Sequence, residues 1–356
     1  MVEKINTLGT EKRLSYAFLL LLSFLLLFIL LIVSAGMGFM DISFMDVTKA
    51  IVETLSGKTG ILAGPADQIR AVVVDVRLPR IMAALLVGAG LSVSGAVFQG
   101  ILLNPLADPY TLGVSAGAAF GAAMALVLNM GATFYSVPLF AFAGAALTLF
   151  FVIFLASSGH SGKTGLSSSN LILSGIIISA ILSAGISFLK YLADEQVSAI
   201  IFWLMGSFAA AAWAHVLLLS CALGLCSGIF LFYARDLNLM SLGEKSAVTL
   251  GVDTAKVTLI LLISASFLAA LCVSVSGIIG FVGLLIPHMV RFVTGPDNRK
   301  LLPLSFTAGA ILLLGADTLT RAVLPSEIPI GVLTALIGGP VFCYIFKKRH
   351  MTERQG

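Results

Sequence analysis

The stretch RLPRIMAALLVGAGLSVSGAVFQGILL, Arg77 to Leu103, begins with two arginines and then runs without a charge from Ile81 onward. An α-helix rises about 1.5 Å per residue, so about 20 apolar residues cross the hydrocarbon layer of a bilayer. Residues 81–103 meet that length, and the reading is a membrane-spanning helix. Arg77 and Arg80 stand on either side of a Leu-Pro pair at its foot, with no evident acidic partner on the apolar side.

The same pattern recurs along the chain. Apolar residues make up 59% and charged residues 11% of the sequence, and the mean hydropathy is +1.08. A water-soluble domain carries about 25% charged residues, so this chain could not coat its own surface. The class is an all-α polytopic membrane protein, one membrane domain over residues 1–356. Ten spans are expected, near residues 16–35, 81–103, 110–130, 135–156, 168–190, 211–234, 256–275, 277–294, 303–322 and 329–346. The seventh and eighth are hard to separate, because CVSVSGIIGFVGLLIPH stays apolar through a turn at Ser276–Gly277.

Lys12 and Arg13 precede the first run, as in a secretory signal, but a signal's apolar region is only about 7–15 residues long. Tyr16–Ala35 is long enough to span and reads as an uncleaved first helix. Cys221, Cys226, Cys272 and Cys343 all fall inside apolar runs and read as small buried hydrophobes rather than a disulfide framework.

With both termini inside, most of the 21 Lys and Arg residues lie on the cytoplasmic side, which is the expected bias. The exceptions are Lys190, Arg321 and a cluster in the outer loop 36–80: Lys49, Lys58, Arg70, Arg77 and Arg80. In that loop DISFMDVTKAIVETL sets Phe44, Val47, Ile51 and Leu55 on one helical stripe, with Asp46, Lys49 and Glu53 off it. Such a helix lies either on the membrane surface or on the protein itself. Gly113, Gly117 and Gly121 recur every four residues, a smooth face suited to tight internal packing or to an oligomer contact. Gly277, Gly280 and Gly283 imply another close crossing.

A net charge of +4 follows from the placement of Lys and Arg around the bilayer and does not point to nucleic acid. SSGHSGKTG (157–165) imitates the end of a phosphate-cradling loop, but Ser157 stands where its first glycine belongs and no strand precedes it. No nucleotide site is assigned there, so any ATP is hydrolysed by another chain. His160, His215, His288 and His350 are scattered, and no metal or nucleophile constellation forms, which disfavours a membrane enzyme. Asp317 lies inside the ninth span with Arg321 four residues on, and a local ion pair near the outer mouth is expected. SVSG occurs at 92–95 and again at 274–277, a faint internal echo.

The longest inner segment, ARDLNLMSLGEKSAVTLGVDTAK, reads as two short helices joined by a bend. Its exposed leucines suit docking into a groove on a partner, although many such loops are merely solvated.

Four blocks in order now resemble one family: RLPRIMAALLVGAGLSVSGAVFQGILLNPLADPYTLGVSAGAAFG, LMSLGEKSAVTLGVD, SGIIGFVGLLIPHMVRFVTGPDNRKLLP and LPSEIPIGVLTALIGGPVFCYIF. They are similar to FecCD-type permeases of binding-protein-dependent ABC importers for iron siderophores, haem and cobalamin. The resemblance implies a ten-helix type II importer fold, a homodimer with its path on the twofold axis, and a bacterial or archaeal cytoplasmic membrane. It also implies two cytoplasmic ATP-binding subunits, which use ATP and Mg, and an external substrate-binding protein; this chain itself holds no cofactor.

By the same resemblance Arg77, Arg80 and Arg321 meet acidic groups of the docking protein. Residues Leu239, Met240, Ser241, Leu242, Gly243, Glu244, Ala247, Leu250 and Gly251 seat in the ATPase. Leu171, Ser174 and Ile178 of the fifth span line the path with Phe202, Trp203, Met205 and Gly206 near the outer gate. The alternative for the RLPR arginines is that they snorkel and anchor the helix at the interface. The alternative function is an ATP-independent carrier or channel, which accounts for the helices but not for the elbow or the outer arginines.

Overall fold

A computed structural model describes residues 2–38, 42–56, 65–130, 135–157, 167–322 and 327–353. Every regular element among them is helical. Besides a 3-10 turn at Asp194–Gln196, these are in chain order α1 (Val2–Gly36), α2 (Phe44–Leu55), α3 (Pro65–Ala71), a π-helical turn (Val72–Arg77), α4 (Leu78–Ile101) and α5 (Val114–Val127). There follow α6 (Ser136–Ser157), α7 (Ser168–Leu192), α8 (Val197–Leu204), α9 (Trp213–Phe232), α10 (Ala234–Met240) and α11 (Glu244–Thr249). The last four are α12 (Thr254–Ser276), α13 (Val282–Thr294), α14 (Asn298–Ala322) and α15 (Ile330–Glu353).

Seven of these columns are long and apolar enough to cross a membrane, and three shorter apolar helices, α5, α13 and the apolar part of α15, accompany them. They occupy the ten expected positions. The surprise is length: α5 has 14 residues and α13 has 13, about 20 Å each. Each is preceded by a non-helical stretch, residues 102–113 and 277–281, tucked into the bundle. The unresolved join between the seventh and eighth spans is thus an unwound segment, and α13 starts at Val282 rather than Gly277.

Backbone groups left unpaired inside a bilayer cost several kcal/mol each, and Tyr110 addresses this directly. Its hydroxyl donates to the carbonyl of Ile279 and accepts the Ile279 N–H at 2.9 Å. Asp108 in turn accepts the N–H groups of Tyr110 at 3.1 Å and Thr111 at 3.0 Å, fixing the turn that aims the ring.

Helix α4 is the axis of the fold, enclosed by α14, α12, α13 and α9, with 94% of its apolar window buried. Small residues permit this. A Cβ on Gly88 would overlap the carbonyl oxygen of Gly309 in α14, and one on Gly95 would overlap that of Gly283 in α13. Within lipid, association rests on such close backbone contact because lipid is as apolar as leucine. The glycine face of α5 serves internal packing too: Gly117 lies against Gly144 and Thr148 of α6, and Gly121 against the Phe140 carbonyl. A Cβ on Gly280, by contrast, would meet nothing within 4 Å.

Helix α4 also begins further out than hydropathy indicates, as one column running from Asp67 to Ile101. Arg77 and Arg80 therefore stand inside a helix rather than at its foot. Pro79 has no N–H to offer the preceding turn, and the column widens there: the Leu78 N–H bonds the Val73 carbonyl five residues back. The indole of Trp213 takes up the neighbouring Val74 carbonyl at 2.9 Å.

The outer amphipathic helix is α2, and it rests on the protein. Ile42, Val47 and Ala50 are buried with Val73 in a small satellite core, while Phe44 and Val52 face outward. The side chain of Leu55, the loop 158–166 with His160 and Lys163, Lys58, and the side chain of His350 lie outside the described residues.

Candidate functional site: an outer arginine cluster and a cytoplasmic elbow

At the outer ends of α4 and α14, two guanidiniums, Arg80 and Arg321, hold one buried carboxylate, and that of Arg77 lies near Arg321. Asp317, 1% exposed, accepts from Arg80 Nε at 3.0 and 3.3 Å and pairs with Arg80 Nη2 at 3.0 Å. It also accepts from Arg321 Nε at 3.2 Å. The expected pair one helical turn apart is present, and the sequence-distant Arg80 joins it. A carboxylate removed from water needs such multiple charged donors, since desolvation alone would disfavour its ionised form.

The three arginines have different second partners. Arg321 donates to the carbonyls of Met37 at 2.6 Å and Ser34 at 2.7 Å and to the Ser34 hydroxyl. Arg77 donates to the Ala35 carbonyl at 2.9 Å, and its guanidinium fills the space a side chain at position 38 would need. Both cap the carboxyl end of α1, where helix carbonyls lack intrahelical partners and cations are favoured. Both are buried, at 6% exposure. Of the three arginines expected to meet a docking protein, Arg77 and Arg321 are turned into the protein by these carbonyls.

Arg80 alone of the three opens onto a cavity, of about 240 Å³, and there its Nη1 bonds the exposed carboxylate of Glu327 at 3.0 Å. Phe202, Ser207, Asp317, Thr320 and Pro329 also line this space. Its floor is a seam of backbone bonds. Ser207 N–H bonds the Ser276 carbonyl at 2.8 Å, Gly331 N–H bonds Met205 at 3.0 Å, and Ile330 N–H bonds Gly206 at 3.2 Å. The residues expected at the gate thus meet the end of α12 and the start of α15. Phe202 is exposed, Trp203 and Met205 are half-buried, and Gly206 is buried. Gly206 and Gly277 take left-handed φ values of 74° and 70°, and a Cβ on Gly277 would overlap the Trp203 carbonyl.

The path residues expected on α7 lie on its covered side. Leu171, Ser174 and Ile178 are buried, and beside them Gly175 seats on the backbone of Thr111 and Leu112, just before α5. The open face carries Leu173, Ile177, Ile181 and Phe188. A helix that is apolar all round gives no periodic sign of which face its neighbour takes.

On the cytoplasmic side α10 and α11 form the expected elbow. Gly243 bends it with φ 100° and ψ 148°, a conformation only glycine enters without strain. Met240 and Ala247 are buried and Leu239 is half-buried, fastening the elbow, whereas Ser241, Leu242, Glu244, Val248, Leu250 and Gly251 face outward. Asn238, absent from the expected set, is the main polar tie. Its Nδ2 donates to Asp297 at 2.7 Å, and its Oδ1 accepts the Asn298 N–H and Nδ2, both at 2.8 Å. A lone amide among leucines was the available signal.

The other sequence features have structural surroundings. The His288 ring lies edge-on to Phe292 and Phe342, and His215 Nδ1 accepts the Ala212 N–H at 3.3 Å. No group of metal-ligating side chains occurs among the described residues.

Similarity to known proteins identifies the family. Residues 25–348 match the model of the FecCD transport family. The ABC transporter permease protein YvrB of Bacillus subtilis (strain 168) is 42% identical over 80% of this chain and 80% of its own length. The molybdate import system permease protein MolB of Haemophilus influenzae is 40% identical over 92% of this chain and 96% of its own. A solved metal-chelate type ABC transporter in an inward-facing conformation superposes with a TM-score of 0.79 at 36% identity, covering 92% of this chain and 98% of that one. The chain belongs to the FecCD transport family and is a multi-pass permease subunit of an ABC importer in the cytoplasmic membrane.

Proposed function

We propose that two copies of this chain form the passage of an importer for a preassembled metal chelate: a ferric siderophore, haem or cobalamin. An external binding protein delivers the cargo at the Arg80 end. Two separate ATPase subunits, using ATP and Mg, engage the elbow. The observation that carries this reading is the elbow itself, where Leu242, Val248 and Leu250 stand exposed on a bend fastened from behind by buried Leu237, Met240 and Ala247. Apolar side chains held out on a rigid support suit a groove on a partner.

A large chelated cargo needs a wide, weakly binding passage. The open apolar face of α7 offers no charge to trap it. Of the outer arginines, Arg80 is the docking cation, because its guanidinium reaches the cavity while Arg77 and Arg321 hold α1.

The test is uptake into proteoliposomes holding the permease with its ATPase and binding protein. Glu244→Arg or Gly243→Val leaves ATP hydrolysis running while uptake falls to background. Unchanged uptake in both variants rules out the elbow as the seat of the ATPase. Parallel uptake of ferric siderophore, haem, cobalamin and molybdate assigns the cargo, and uptake of molybdate alone overturns the chelate reading.

A further inference from the structure

Arg80 holds two acids of opposite character. Asp317 is buried at 1% exposure and shared with Arg321, so it cannot leave without stranding two guanidiniums. Glu327 is 45% exposed, touches Arg80 through one 3.0 Å bond, and sits in the non-helical stretch just before α15. The first bond is a fixture; the second is open to exchange with any carboxylate that reaches the cavity.

We propose that Glu327 is a placeholder in this cavity, occupying Arg80 until an acidic side chain of the external binding protein takes its position, and that this exchange loosens the outer mouth. The proposal rests on the docking role of Arg80. Its partner is a carboxylate-bearing protein surface, since that is the chemistry Glu327 itself presents to the guanidinium.

The route to the mouth is short. Glu327 is followed by Ile328 and Pro329, and then by Ile330 and Gly331, whose N–H groups bond the carbonyls of Gly206 and Met205. A Cβ on Gly331 would overlap the carbonyls of both Met205 and Ile278, so the start of α15 is seated directly on the mouth backbone. While Glu327 holds Arg80, the 327–329 stretch is pinned at both ends: to α4 and α14 through the ion pair, and to the mouth through Ile330 and Gly331. Replacing Glu327 by a partner's carboxylate frees the first pin and keeps Arg80 neutralised. By reciprocity, whatever loosens the mouth also strengthens docking.

The experiment measures binding-protein affinity for the assembled permease–ATPase complex in Glu327→Gln. Removing the competitor tightens docking about two- to fivefold, the span an exposed ion pair is worth. Glu195→Gln, which removes an exposed outer acid elsewhere, controls for general charge and stays within its small, salt-screened effect. The double variant Arg80→Ala with Asp317→Asn removes the docking cation without stranding its carboxylate, and it loses docking. If Glu327→Gln docks as the wild type or the Glu195→Gln control does, or more weakly, while the double variant loses docking, the placeholder is overturned and the docking role of Arg80 stands. If the double variant docks normally, both fall.

Discussion

Arg80 and Asp317, 237 positions apart in the chain, meet guanidinium to carboxylate at 3.0 and 3.3 Å where the outer ends of α4 and α14 converge. The pair closes one end of the principal helix contact in the fold. The Gly88–Gly309 crossing lies between it and the cytoplasmic end, where Asn298 meets the elbow. The same two helices therefore join the Arg80 cavity to the elbow.

Asp317→Ala strands Arg80 and Arg321 in a buried site, and the expected cost is about 3–5 kcal/mol. Thermal unfolding in detergent measures it. Asp317→Asn, which keeps an acceptor for one of the two donors, loses less.

Substituting Gly309 by Val drives a side chain into the Gly88 carbonyl and the Ser92 Cβ. Overpacking of this kind costs about 1–3 kcal/mol or more, against less than about 0.5 kcal/mol for Gly224→Ala. Gly224 has nothing within 4 Å of its added Cβ. Comparing the unfolding temperatures of the two variants checks the contrast.

Tyr110→Phe keeps the ring and removes the hydroxyl that serves both backbone groups of Ile279. Each orphaned group costs about 1–3 kcal/mol. Hydrogen exchange at residues 277–281 should quicken in this variant while that of α6 is unchanged.

Asn238→Ala cuts the three side-chain bonds between the elbow and the start of α14. ATPase subunits still co-purify, because Leu242 and Leu250 are untouched, but stimulation of ATP hydrolysis by the binding protein is lost. Normal stimulation would show that the elbow drives the bundle through other contacts.

Much of this architecture is legible in the chain because lipid imposes a simple demand for length and apolarity. That demand locates the spans, and Gly243 with its flanking leucines marks the elbow. Hydropathy is silent, however, wherever every side of a helix is apolar. Its pattern does not tell the faces of α7 apart, and Leu171, Ser174 and Ile178, expected along the path, are buried within the subunit. The half-length helices were hidden too, because the unwound residues 277–281 are as apolar as the helices they join. The arginines announced themselves as exceptions to the charge bias. Their division of labour depends on α1 carbonyls and on Glu327, which no local pattern brings near them.

The mooring of α1 has a consequence for biogenesis. Its apolar window is only 11% buried, and its polar ties run chiefly to α14: Ser23 with Thr307, Ser34 with Thr318, and Ser34 and Met37 with Arg321. These partners lie 284 to 287 residues further along the chain. At synthesis rates of about 5–20 residues per second, roughly 15–60 s pass between the emergence of one and of the other. Through that interval α1 has Arg77, 42 residues on, at its Ala35 carbonyl, but its Ser34 and Met37 carbonyls wait for Arg321. Its berthing against α14 is then among the final events in the maturation of the subunit.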